Sequence, residues 1–358
     1  MPADARRWLD LLAAEPRPAG GRAEAEARAH CAAHLSAYGY TVREAGFEYS
    51  AAPGRYATPV AGLVWMAAVA AAGHLGYHGR PVGAGGILVV LALGIAAGAR
   101  WVSREGVLVL PIARARGVNL MATRGGAGPR VWLVAHLDSK SQPIPIVVRA
   151  LGIMGCAAVW VATLVLAATQ RVGGWWLWVT VAGVVTGLPV VASWVGQSSP
   201  GALDNASGVA TVMLAAARVP SAVPLGIVLT SAEELGLAGA RACARSMPRP
   251  TDGVVLNCDG VDDSGYLKVM YSGAPPERAF GAFAGVATAG RLPLGVLVDA
   301  VAWSDAGWEA VTLSRGTLST VARIHSRRDT ANRLTGAGIE SAATALATAA
   351  EALARALA

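Results

Sequence analysis

Four stretches of the chain contain no Asp, Glu, Lys or Arg: residues 58–77, 83–99, 150–170 and 172–195. An apolar helix of about 20 residues crosses a bilayer core about 30 Å thick, at 1.5 Å per residue. Each stretch is therefore expected to span a membrane, 83–99 being the shortest. Buried core helices are the competing reading, but they seldom stay apolar over that length. In addition, Trp175, Trp176, Trp178 and Trp194 stand at segment ends, where an interfacial aromatic belt lies. The short links 79–82 and 171–174 join the spans into two hairpins, 58–99 and 150–195. A hairpin returns the chain to the side it left, so residues 1–57, 100–149 and 196–358 share one side. They are expected to form one discontinuous domain.

Outside the spans the pattern changes period. Helical signals cover 3–14 and 21–38, followed by an extended segment at 41–49. Strand signals cover 106–112, 118–123 and the apolar run 131–135. Then come a helix at 205–217, a strand at 225–230, a helix at 237–245 and strands at 253–257, 267–271, 294–298 and 311–313. A closing helix over 336–357 is started by Thr335. This alternation predicts an α/β sheet covered by helices.

Composition follows from the spans: 54% hydrophobic and only 15% charged over 358 residues. The net charge of +7 comes from scattered Arg residues with no basic run interleaved with aromatics, so nucleic acid is not an expected partner. Residues 1–50 are charged throughout and lack an apolar signal core, so targeting would fall to the first span. Cys31, Cys156, Cys243 and Cys258 show no CxxC spacing, and no disulfide framework is indicated, although a Cys243–Cys258 pair stays open. Gly94 with Gly98, and Gly183 with Gly187, are small-xxx-small pairs, which chance readily supplies in a chain with 43 glycines.

Candidate chemistry gathers at strand ends. His136 and Asp138 follow the apolar run 131–135, at the carboxyl edge where open α/β sheets bind ligands. The pair sets an imidazole beside a carboxylate that can orient it. Asp204 and Asn205 lie in PGALDNASGVA at a helix start; an N-cap is the ordinary role of such an Asp, but among small residues its carboxylate can also bridge two cations. Glu233 and Glu234 follow the strand at 225–230, where one can bind a metal and the other act as general base. Asp259, in LNCDG, is a third strand-end acid. His325, in IHSRRDT, adds a second imidazole, with Asp329 four residues on. His30 with His34 and His74 with His78 are spaced i, i+4 on helices, but no acidic motif accompanies them.

The ordered strings AHLDS, PGALDNASGVA, TSAEELGLAGA, LNCDG, WSDAG and IHSRRDT resemble the co-catalytic di-zinc aminopeptidases, whose relatives include glutamate carboxypeptidase, the glutaminyl cyclases and the non-catalytic transferrin receptor. The resemblance implies a mixed sheet of about eight strands between helices, with the membrane hairpins as insertions. It implies two Zn2+, one held by His136 and Asp259, the other by Glu234 and His325, with Asp204 bridging. Glu233 would be the general base, Asp138 would orient His136, and Asn205, Ser304 and Asp305 would support the site.

The implied activity is that of an exopeptidase, most readily an aminopeptidase, acting on peptides at a lipid bilayer. The alternatives are a metal-binding receptor or scaffold without catalysis, and glutaminyl cyclase-like chemistry with one functional zinc. Two departures bear on the reaction. The Tyr that family members commonly carry before the last His is here Ile324, and such an oxyanion donor is worth about a hundredfold. Two spans also separate Ser139 from Pro200. Arg43, Arg55, Arg100, Arg104, Arg114, Arg116, Lys140 and Arg149 flank the spans on the domain side, against Arg80 and Arg171 in the links, so the positive-inside rule predicts a cytoplasmic domain on a bacterial cell membrane.

Overall fold

The computed structural model describes residues 2–125, 128–248, 252–293 and 295–358. The chain forms two compact units. One consists of Met1–Ala51, Val107–Ser141 and Gln197–Ala358, and the other of Ala52–Gly106 and Gln142–Gly196.

The first unit is built on a mixed sheet of eight strands: β1 Thr41–Ser50, β2 Arg114–Arg124, β3 Val131–His136, β4 Leu225–Thr230, β5 Val254–Val261, β6 Tyr266–Tyr271, β7 Thr288–Arg291 and β8 Glu309–Gly316. Their order is β1-β2-β4-β3-β5-β8-β6-β7. The central strands β4, β3, β5 and β8 run parallel, and antiparallel pairing begins at β2 on one side and β6 on the other. Every residue of β3 and β4 is buried. Strands covered on both faces read as unbroken apolar runs, as these two do.

The helices in chain order are α1 Pro2–Leu12, α2 Arg22–Ala37, α3 Ala52–Tyr77, α4 Pro81–Trp101, α5 Val107–Val109, α6 Ile146–Ala168, α7 Trp175–Val191, α8 Ser207–Arg218, α9 Ala238–Ser246, α10 Glu277–Ala282, α11 Asp299–Asp305, α12 Leu318–Val321 and α13 Ala337–Ala356. Successive strand residues point to opposite faces. On one face Leu133 and Ala135 join Leu9, Leu35, Met213 and Leu346, from α1, α2, α8 and α13. On the other, Trp132 and Val134 join Ala240, Cys243 and Trp303, from α9 and α11. Cys258 belongs to the first cluster and Cys243 to the second, so the sheet separates the two sulfurs, and the cysteines are free. Burial pushes the Cys31 and Cys243 thiols up to about 12, which keeps them protonated and unreactive.

Three local expectations fail. Residues 106–112 are not a strand: a π turn at Val102–Gly106 and the short α5 carry on from α4. A brief apolar run does not reveal its period, and here the preceding helix decides it. Of the expected strand 294–298, Leu294 lies outside the described residues and the remainder is irregular. The edge strand is instead β7, whose TAGR sequence has no apolar alternation. Finally, α8 begins at Ser207, because Asp204 and Asn205 take non-helical backbone angles inside the π segment Ala202–Ala206.

The second unit contains α3, α4, α6 and α7. Among the described residues, three helices are long and apolar enough to cross a membrane: Ala52–Tyr77, Pro81–Val109 and Ile146–Ala168, of 26, 29 and 23 residues. The fourth expected span is shorter, since α7 has 17 residues. Gly173 at φ +82° delays its start, and the helix stops two residues after Pro189.

Helices α3 and α7 approach closely through glycine. A Cβ on Gly76 would lie 2.0 Å from the Trp176 ring, and one on Gly183 2.5 Å from Val69. Gly187 faces Met66 in the same way, whereas Gly94 and Gly98 face open space. Trp176 is fully buried and donates Nε1–H to the Arg171 carbonyl at 2.7 Å, so it belongs to the packing and not to an outward aromatic belt. Trp175 and Trp178 do point outward.

Candidate metal centre

The carboxyl edge of the central strands carries the acids and imidazoles. His136 is the last residue of β3. Its Nδ1 lies 3.0 Å from the Asp138 carbonyl oxygen, closer than the 3.7 Å to the Asp138 carboxylate, so the backbone orients the ring. The Asp138 carboxylate has a different task. It accepts the backbone N–H groups of Glu233 at 3.0 Å and Glu234 at 3.2 Å, which fixes the turn after β4. Its pKa rises to about 8, chiefly through burial and with other carboxylates adding, against the pull of His136 and the bond from Glu233.

That turn is tightly built. Ala232 has a left-handed backbone at φ +57°, and the Glu233 carbonyl accepts the N–H groups of Gly236 and Leu237. Asn119 clamps it from β2, accepting from Ser231 N–H at 3.0 Å and donating to the Gly239 carbonyl at 2.8 Å. A Cβ on Gly239 would lie 2.2 Å from the Ser231 carbonyl oxygen and 2.5 Å from Asn119 Oδ1. Gly239→Ala is accordingly expected to destabilise the protein by about 1–3 kcal/mol, read by chemical unfolding. An unchanged midpoint would mean that the turn gives way freely.

Asp204 sits between the two imidazoles. Its Oδ1 is 3.1 Å from His136 Nε2 and its Oδ2 is 2.7 Å from His325 Nε2. Asp259 lies inside β5, within the irregularity between Cys258 and Val261, with Oδ1 3.7 Å from His136 Nε2. Glu234 Oε1 is 3.3 Å from His325 Nε2. Asn205 holds the segment carrying Asp204 against β5, donating to the Cys258 carbonyl at 2.9 Å and accepting from Gly260 N–H at 3.2 Å. Asp329 does not back His325; its carboxylate accepts the N–H groups of Leu203 at 2.6 Å and Asp204 at 3.2 Å.

Two donor sets result, His136–Asp204–Asp259 and Asp204–Glu234–His325, each with one ligand atom per residue and all of these within 4.8 Å of one another. His136 Nε2 and Glu234 Oε1 are buried with no hydrogen-bond partner even though charged groups surround them. Buried polar atoms left without a hydrogen bond among converging carboxylates and imidazoles suit a cation placed between them, and imidazole with carboxylate is a zinc donor set. Glu233 belongs to neither set; its nearest imidazole atom is His136 Nε2, at 3.9 Å from Oε2. Burial, reinforced by Glu234, Asp259 and Asp299, raises its carboxyl well above the usual carboxylate range against the pull of His136.

The remaining expected residues lie apart from the donor sets. The Asp305 carboxylate accepts from Arg241 at 3.2 Å, and Ser304 Oγ donates to the Ser272 carbonyl. Ile324 is half-buried against the core and offers no donor. His30 with His34 and His74 with His78 join no metal-ligating cluster among the described residues. Sequence reading missed Lys140 as a site residue, along with Asn119, Arg17 and Asp299. Asn119 left a signal, a lone amide inside the apolar run VNLMA. Arg17, in a Pro- and Gly-rich loop, left none.

The sequence model of peptidase family M28 matches residues 187–350, which include Asp204, Glu233, Glu234, Asp259 and His325. No curated protein matches the chain significantly in sequence. Among solved structures, the fold is similar to an aminopeptidase from Aneurinibacillus sp. strain AM-1, with TM-score 0.57, 16% identity, 98% of this chain and 93% of that one covered. A zinc aminopeptidase from Bacillus subtilis gives TM-score 0.55 and 15% identity over 98% and 94%. Bacteroides thetaiotaomicron glutaminyl cyclase gives 0.56 and 12% over 98% and 97%.

Proposed function

We propose that this protein is a membrane-anchored zinc exopeptidase of aminopeptidase type. The observation that carries the reading is the pair of donor sets sharing Asp204, with the buried Glu233 carboxylate beside them and outside both. The M28 match over the segment bearing most of these residues supports it. One zinc would be held by His136, Asp204 and Asp259, and the other by Asp204, Glu234 and His325. Bound there, zinc supplies Lewis-acid polarisation of a carbonyl and acidifies a water.

The chain's own residues do the rest. Glu233 takes the proton from the attacking water and returns it to the departing amine. Asp138 keeps Glu233 and Glu234 in register through their backbone N–H groups, and Asp329 does the same for Asp204. Anchoring rests on the long apolar helices and on their outward side chains, such as Val90 and Met154, 71% and 67% exposed.

Two measurements test the reading. Purified protein is expected to hydrolyse aminoacyl amides only with zinc present, and zinc-loaded protein inactive on a broad panel would sink it. Zinc at about a hundred times its Kd is expected to raise the stability of the stripped protein by about 2.7 kcal/mol, seen as a thermal shift. Magnesium, which favours oxygen ligands in octahedral sites, is expected to do much less. A one-zinc endpoint coupled to cyclisation of N-terminal glutamine would favour glutaminyl cyclase-like chemistry.

A further inference from the structure

The two oxygens of Glu234 face different partners. Oε1 points toward His325 Nε2 and lacks a hydrogen bond, while Oε2 lies 2.5 Å from the Lys140 ammonium. The Lys140 side chain is only 17% exposed. The backbone that presents it is tethered: Ser139 N–H donates to the Arg17 carbonyl at 2.8 Å, Ser139 Oγ donates to the Ser199 carbonyl at 3.0 Å, and Arg17 N–H donates to Ser139 Oγ at 3.0 Å. Lysine is rare here, since positions 140 and 268 hold the only two among 30 basic residues. An ammonium is a compact point charge that can engage one carboxylate oxygen, whereas a guanidinium fork tends to take both.

No such cation touches the ligands that belong to the other set alone: among the described residues, Asp259 pairs with His136 and forms no ion pair with Lys or Arg, while Asp204, which also feels Lys140, is common to both sets. The sets therefore differ in charge environment. Lys140 occupies one Glu234 oxygen, repels an incoming cation, and stabilises the carboxylate while the position is empty. All three effects act in the same direction.

We propose that Lys140 makes the two metal positions unequal, so that zinc fills His136–Asp204–Asp259 first and enters Asp204–Glu234–His325 with weaker affinity. This rests on the metal-centre reading above. Lys140 acts through Glu234 and is a positioning residue.

The test is zinc titration of the full-length, chelator-stripped protein in detergent, against a competing chromophoric chelator, with bound zinc counted. The wild type is expected to bind two ions in separable steps. Lys140→Met is expected to tighten the second step about tenfold or more, the scale on which groups behind metal ligands tune affinity, and to move the first less than threefold. Lys140→Arg, which keeps the charge, is expected to retain the weak second step and shows whether the Met variant's effect is one of charge. Equal tightening of both steps, an unchanged second step in Lys140→Met, or a weaker one overturns the inference and leaves the peptidase reading standing. A wild type that binds no zinc overturns both.

Discussion

Glu233→Gln is expected to lower kcat/KM for aminoacyl-amide hydrolysis by about 10²–10⁴-fold, the range over which a positioned acid–base group contributes, while zinc content stays at the wild-type level. The substitution is nearly isosteric. The backbone N–H at position 233 still meets Asp138, so the turn holding Glu234 keeps its shape. Glu233 belongs to neither donor set, so its substitution removes no metal ligand. What disappears is an acceptor for the water's proton. Steady-state rates with metal analysis on the same preparation check this, and a variant as active as wild type would remove Glu233 from the mechanism.

Arg17→Met is expected to cost about 3 kcal/mol or more, among the larger effects of a single substitution, measured as a fall in unfolding midpoint with a matching loss of zinc affinity. Arg17 is 2% exposed and donates to the carbonyls of Leu137 at 2.8 Å, Pro200 at 2.9 Å and Gly201 at 3.1 Å, and to that of Leu12. Each buried acceptor left without a partner costs about 1–3 kcal/mol. Leu137 directly follows His136, and Gly201 lies three residues before Asp204. One guanidinium thus ties together the two segments that bring His136 and Asp204 together. Burial lowers its pKa to about 10, against the pull of Asp329 and Asp138, so it remains charged at neutral pH. A loss below about 1 kcal/mol would mean that water or a rearranged loop replaces these bonds.

Much of the fold was legible because burial on both faces leaves a local trace. Strands β3 and β4 read as apolar runs, and His136 at the end of β3 and the acids that follow the two strands were visible as exceptions to that pattern. The apolar helices showed themselves by length and lack of charge. Helix ends were less clear: α7 is shorter than its apolar stretch, with Gly173 at positive φ just before its start, and hydropathy does not register backbone angles. The short α10, α11 and α12 and the edge strand β7 escaped for a related reason, as each is too brief to set up a period.

What the sequence determined by itself was the set of chemical groups and their approximate elements: His136, Asp138, Glu233, Glu234 and Asp259 at strand ends, Asp204 before a helix and His325 in a loop, and apolar helices grouped in pairs. Tertiary structure alone decided how those groups are used. Whether Asp138 holds His136 or the Glu233–Glu234 turn, whether Asp329 supports His325 or the Asp204 backbone, and which Glu234 oxygen Lys140 takes are matters of tenths of an ångström between residues up to 126 positions apart. Local patterning encodes burial and backbone preference. Hydrogen-bond partners across a sheet edge are settled only when the strands pair and the loops close over them.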